Sequence, residues 1–216
     1  AACGTLPSDR LPPVPAPAPV ITLPATPVPA PTPIQVPAPV PAPVPVPPPP
    51  PALPPLPAGN RLALHWHARE APVRISKDTV VAAWTFEGDI PGPIVHCRVG
   101  DTVDFTLTND VDIPHSMDFH AAKISWSRHY GPVDPGTSKS FSFVARVPGV
   151  FMYHCGTPMI LEHIASGMYG AVIVEPKNGY PTKADREYML IQSEFYVKPD
   201  PDKRKVDGIP LYVLLK

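Results

Sequence analysis

Short alternating runs dominate the chain from residue 61 onward. Leu62, Leu64 and Trp66 alternate with Ala63, His65 and His67, and Val103, Phe105 and Leu107 alternate with Thr102, Asp104, Thr106 and Thr108. Phe141 and Phe143 alternate with serines, and Ala171 to Val174 is a short apolar run ending at Glu175-Pro176. Successive strand side chains point to opposite faces, so a period of two predicts strands with one buried face. Turn formers punctuate the runs at Pro91-Gly92-Pro93, Gly100-Asp101, Asp134-Pro135-Gly136 and Pro148-Gly149. The pattern predicts an all-β, antiparallel sandwich or barrel over residues 61–178, near the usual size of one sandwich domain. Only Pro158 to Ala165 reads as helical, with proline acceptable in a first turn. Arg186 to Ser193 predicts another strand, followed by a charged turn from Lys198 to Asp207. The sequence then ends within the apolar segment Leu211 to Lys216. Residues 179–216 therefore read as a linker and the beginning of a truncated second domain.

The first sixty residues follow different rules. They hold 24 of the 37 prolines but only two charged residues, Asp9 and Arg10. Proline lacks the donor N–H and fixes φ, so helix and central strand are excluded here. Residues 1–60 predict a disordered, proline-rich spacer with polyproline II preference, extending about 3.1 Å per residue. Recognition by a proline-binding module is the weaker reading, because no Arg or Lys flanks the repeats. The opening Ala1-Ala2-Cys3-Gly4 resembles the end of a bacterial lipoprotein signal, where a cysteine becomes lipidated and N-terminal. A lipidated Cys3 implies membrane attachment outside the cytoplasm, in the periplasm or at the outer cell surface.

Charge and cysteine content exclude several classes. The net charge of −1 and the lack of a basic cluster argue against nucleic acid as a partner. No run of eighteen apolar, proline-free residues exists, which excludes a membrane-spanning helix. Three cysteines (Cys3, Cys97 and Cys155) make no disulfide framework, and Cys97 is expected to be a reduced core thiol. His129 reads as a solvated loop residue. Met117, Met152 and Met159 read as packing around a metal pocket or its rim.

One constellation stands out: His115-x4-His120, then His154-Cys155, His163 and Met168. A thiolate, two imidazoles and a thioether suit a mononuclear blue-type copper site with Met as the weak axial ligand. Zinc would more naturally recruit a second cysteine or a carboxylate. His154 and Cys155 are neighbours, so on a regular strand they face opposite ways. His115 and His120, five apart, also oppose each other if Pro114 to His120 is extended. One consistent solution gathers His115, Cys155, His163 and Met168 inside the sandwich. Asp118, His120 and His154 then form a second cluster on the other face.

These residues resemble the N-terminal cupredoxin domain of the copper-containing nitrite reductases. The matching segments are Trp84 to Gly88, Pro91-Gly92-Pro93, Gly100-Asp101-Thr102, Leu107-Thr108-Asn109, His115 to His120, Pro148 to Gly156 and His163 to Gly170. Pro176 to Tyr180 and Asp185 to Tyr188 continue as that family does on entering its second domain. The resemblance implies a cupredoxin-like Greek-key β-sandwich. It further implies type 1 copper on His115, Cys155, His163 and Met168, two ligands of type 2 copper from His120 and His154, and Asp118 as the acid that hydrogen-bonds nitrite and delivers a proton. The implied reaction is one-electron reduction of nitrite to nitric oxide. The electron comes from a small cupredoxin or c-type cytochrome, and the assembly is a homotrimer. In the family a third type 2 histidine comes from the second domain of a neighbouring subunit, and no histidine follows residue 168 here. This chain alone is therefore expected to lack the histidines that activity needs.

Two alternatives remain. A lipid-anchored cupredoxin electron carrier needs only the type 1 ligands, but has no use for Asp118, His120 and His154. A multicopper oxidase-like protein would use His-x-His pairs, and His65-Trp66-His67 lies too early in the sandwich to serve as one.

Overall fold

The computed structural model describes residues 53–124 and 131–214. The proline-rich tract before residue 53, Cys3 and His129 lie outside the described residues. The chain divides into two units, residues 1–46 and 47–216, and only the second contains described residues.

Eleven strands are described: β1 Arg61–Ser76, β2 Thr79–Phe86, β3 Val95–Arg98, β4 Thr102–Asn109, β5 Asp118–Phe119, β6 Ser138–Val144, β7 Gly149–His154, β8 Tyr169–Glu175, β9 Val197–Pro199, β10 Lys205–Val206 and β11 Ile209–Leu214. One short helix, α1, spans Ile160–Ala165, and a 3-10 turn spans His120–Ala122. They form two sheets, in the orders β10-β11-β2-β1-β4-β6 (with β9 on β11) and β3-β8-β7-β5. The expected β-sandwich is present. It is mixed rather than purely antiparallel, since β1 runs parallel to β4 and β3 parallel to β8.

Alternation translates directly into burial. Along β4, Val103, Phe105 and Leu107 are buried, with the threonines and Asp104 between them partly exposed. In β1, Trp66 and Ala68 turn inward while His65 stays outside. Trp66 meets Phe105 edge-on with ring centroids 5.4 Å apart, and Tyr153 at 5.2 Å. Phe119 adds contacts to Phe105, Phe143 and Tyr153. Offset and edge-on aromatic pairs of this kind contribute about 0.5–1.5 kcal/mol each beyond area burial. The Tyr153 hydroxyl donates to the Pro93 carbonyl at 2.7 Å, and its ring lies so close to β8 that a Cβ at Gly170 would overlap it. This aromatic floor fixes the height at which β7 and β8 deliver the residues at their ends.

Three elements differ from the sequence reading. The helix begins at Ile160, not Pro158, because Met159 is left-handed (φ 71) and forms a turn before it. Arg186 to Ser193 has no strand pairing; its Leu190 is exposed, and Met189 lines a cavity over β7 and β8 instead of joining a sheet. Strands form further along, where the charged turn was expected. β11 pairs parallel with β2 at Leu211–Val80, and Leu214 packs with Val73, Val81 and Ala83.

Candidate metal centres

Four sections of chain converge on the buried cluster. His115 follows β4 on a loop braced by Asn109, whose amide donates to the carbonyls of Ile113 (2.8 Å) and Val133 (2.9 Å) and whose Oδ1 accepts from Val111 N–H. A two-way backbone bridge to Val133 then pins His115 itself. Cys155 is the residue just past β7, and His163 faces inward from α1. Gly167, at φ 115, turns the chain into Met168, and a Cβ there would strike Ile90. Met168 N–H donates to the His163 carbonyl, and the Met168 carbonyl accepts from Cys155 N–H, both at 3.1 Å. Three of the four residues are thus linked through main chain.

The donor atoms face one another. His115 Nδ1 and His163 Nδ1 are 3.1 Å apart, and Cys155 Sγ lies 3.8 and 3.4 Å from them. A point equidistant from these three atoms is about 2.0 Å from each, the length of a metal–imidazole bond. His115, Cys155 and Met168 are fully buried and His163 is 5% exposed. Among the described residues His115 Nε2 has no hydrogen-bond partner. The nitrogen this pocket organises is therefore the one aimed at Cys155. Burial works against the Cys155 thiolate, but hydrogen bonds from His115, His163 and Thr157 outweigh it and bring the thiol down to about 5. A preformed thiolate with two inward imidazoles and a buried thioether-bearing residue is the donor set copper favours.

The second cluster lies on the other side of the same strand end. Asp118 and His154 are direct partners across β5 and β7. His120 opens the 3-10 turn immediately after Phe119, whose buried ring anchors the segment. His120 Nε2 and His154 Nε2 are 3.1 Å apart, and one ligand atom from each of Asp118, His120 and His154 lies within 4.8 Å of the others. His154 Nδ1 donates to the Cys155 carbonyl at 2.8 Å, which leaves the lone pair on Nε2, facing His120. His154 is buried and His120 exposed, so the cluster is open on one side.

The structure brings His115, Cys155 and His163 together with Met168 beside them, and it gathers Asp118, His120 and His154 separately. His154 and Cys155 diverge as strand parity requires. His120 reaches its position differently: the segment before it is extended only at Asp118–Phe119 and then coils. His65 is exposed, and His67 is tied to Asp110 at 2.7 Å; neither joins a cluster. Cys97 is a buried free thiol, as expected. Met117 is core, whereas Met152 and Met159 are exposed.

Sequence reasoning overlooked the supports. Ser116 N–H donates to Cys155 Sγ at 3.3 Å, and Ser116 Oγ accepts from Gly156 N–H (2.9 Å) and Thr157 Oγ1 (3.2 Å). Trp84 packs against both buried imidazoles, 5.5 Å from His115 and 5.1 Å from His163 between centroids. Ser116 directly after His115 and Thr157 two residues after Cys155 were the available signal.

Comparison with known proteins places this geometry. A multicopper oxidase family model matches residues 67–179, just over half the chain. The chain belongs to the multicopper oxidase family. Within it, the cupredoxin region of this family member is homologous to copper-containing nitrite reductases. That of Neisseria gonorrhoeae is 43% identical over 118 residues, covering 53% of this chain and 30% of the relative. That of Cereibacter sphaeroides is 36% identical over 144 residues, covering 62% and 38%. The solved copper nitrite reductase from Nitrosomonas europaea is 46% identical with a TM-score of 0.62, covering 66% of this chain and 51% of that one. The chain thus spans between about a third and a half of the length of these relatives. The fold is a cupredoxin-like sandwich, and His115, Cys155, His163 and Met168 have the arrangement of a type 1 copper site.

Proposed function

We propose that this chain is the copper-binding first domain of a nitrite reductase that forms nitric oxide, with His115, Cys155, His163 and Met168 holding type 1 copper and His120 and His154 supplying two ligands of type 2 copper. The observation that carries this reading is the divergence of two peptide neighbours: Cys155 enters the closed cluster and His154 the open one. Copper bound in these clusters would supply one-electron transfer and an open coordination position for an anion. The His154–Cys155 peptide is then a covalent route between the two, stiffened by the His154 Nδ1–H bond to the Cys155 carbonyl. Nitrite, one electron and two protons give nitric oxide and water. Asp118, paired across the sheet with His154, is the group positioned to hydrogen-bond an anion at the open cluster and hand it a proton.

Partners and location belong to the same proposal. Val150 and Met152 are exposed on the same side of β7 as His154, so an apolar surface adjoins the cluster that is short of a ligand. A homotrimer in which a neighbouring subunit covers that surface and adds a third imidazole accounts for both. Residues 61–178 are then the first cupredoxin domain, and residues 179–216 lead into a second. Met159 and Leu161 are exposed beside His163, a suitable contact for a small cupredoxin or c-type cytochrome donor. The reading places the protein outside the cytoplasm, in the periplasm or at the outer surface. A lipidated Cys3 would then be the anchor and residues 1–60 the spacer.

The test is a copper count with an activity assay on the assembled full-length protein. Two coppers per chain and nitrite-dependent release of nitric oxide are expected. One copper per chain with no nitric oxide would make the protein an electron carrier.

A further inference from the structure

The face of β3 turned away from the core presents hydrogen-bond donors to the end of the proline-rich tract. Val95 and Cys97 point into the core, so His96 and Arg98 share the other side. His96 is only 6% exposed, and oxygen atoms contact both of its ring nitrogens: the Pro54 carbonyl lies 2.7 Å from Nδ1 and Glu175 Oε1 lies 2.9 Å from Nε2. Arg98 reaches the Pro57 carbonyl at 3.5 Å. Pro54 and Pro57 are three residues apart, one turn of polyproline II, in which the backbone makes no internal hydrogen bonds and its carbonyls stay open. Proline has no N–H to offer, so a surface that binds such a segment must supply donors.

A carbonyl can only accept, so Nδ1 must carry a proton. The imidazole so placed gives the Pro54 carbonyl the donor that the tract itself lacks. Glu175 faces the ring from β8, and segment Leu53 to Pro57 brings no charge of its own. On β3, Arg98 donates its N–H to Asp101 at 2.8 Å.

We propose that the outer side of β3 is a docking site for an uncharged proline segment, occupied by Pro54–Pro57 of this chain, with the His96 Nδ1–H and the Arg98 guanidinium as its clasp. The folded domain thus grips the end of the tract by side-chain bonds as well as by the covalent link. Neither Cys155 nor the His120–His154 pair takes part.

The whole 216-residue chain with 15N-labelled histidine provides the first test. His96 Nδ1 should show an N–H chemical shift, because the Pro54 carbonyl it faces can only accept. The second test is cleavage by a prolyl endopeptidase after Pro57, which reports how often the segment leaves the domain. His96→Phe keeps a ring but no donor, and should speed cleavage about fivefold, as expected for a lost hydrogen bond. Near-ultraviolet circular dichroism checks that the variant is folded; if it is not, the wild-type spectrum decides alone. A lone-pair shift at His96 Nδ1 in the wild type, or equal cleavage of wild type and folded His96→Phe, would overturn the proposal.

Discussion

The two clusters at the end of β7 are built from neighbouring residues and differ in almost everything else. The buried one is closed by the protein. Main-chain bonds tie Met168 to both His163 and Cys155, Ser116 holds the sulfur, and Trp84 packs on both imidazoles. The outer one has an exposed imidazole, a partly exposed carboxylate and a single buried ligand, His154. A closed site fixes geometry and excludes competing ligands, while an open site leaves room for a substrate or a group from elsewhere. The difference shows how one strand end can serve two kinds of chemistry. Parity separates the side chains, and the depth of the surrounding core decides which of them meets solvent.

The comparison can be broken most sharply at the sulfur. Cys155→Ala should abolish the intense visible thiolate-to-copper absorption entirely, read by a spectrum of the copper-loaded protein. Colour surviving that change would mean the closed cluster is not the blue site. Asp118→Asn, made in the assembled protein, should lower nitrite turnover by roughly 10²–10⁴-fold, the usual range for a lost acid–base group. The colour should be unchanged. Unaltered turnover would remove Asp118 from proton delivery.

Smaller effects concern packing. Phe119 carries His120 and Asp118 on either side of a fully engaged ring. Phe119→Leu should therefore cost a few kcal/mol or less in denaturant unfolding and loosen copper in the outer cluster before the inner one. Equal loosening of both would deny that Phe119 orients only the outer residues.

A last effect is a pH slope in the copper-free protein. Cys155 is held near 5, below the ordinary thiol value of 9.0, while burial, with the Asp101 charge adding to it, pushes Cys97 up to about 11. Between 5 and 9 the unfolded chain binds a proton that native Cys155 does not, so stability rises with pH and is lost as pH falls through 5. Between 9 and 11 the native Cys97 keeps a proton that the unfolded chain releases, so stability declines. Cys155→Ala should flatten only the acid side of a thermal-melt series, and flattening on both sides would contradict the assignment.

The sequence made the strands readable where alternation was strict, as in Trp66–Ala68 and Val103–Leu107, because burial of one face leaves a period of two. The divergence of His154 and Cys155 was readable for the same reason. Other features depend on distant partners and leave no period. Met159 adopts a left-handed conformation that no local residue announces, and His120 curls into a turn anchored by Phe119 in the aromatic core. The pairing of Leu211 with Val80 joins residues more than a hundred positions apart. Asn109 was visible as part of a motif, but its three bonds to the loop before His115 could be seen only in three dimensions.

The most direct measurement is the visible spectrum and copper content of His154→Ala in the assembled protein. If adjacent side chains serve separate metals, this variant loses about one copper per chain and all nitrite turnover but keeps its full blue-type absorption. Loss of the absorption together with the copper, in a folded variant, would show that His154 and Cys155 share one site and would contradict the account.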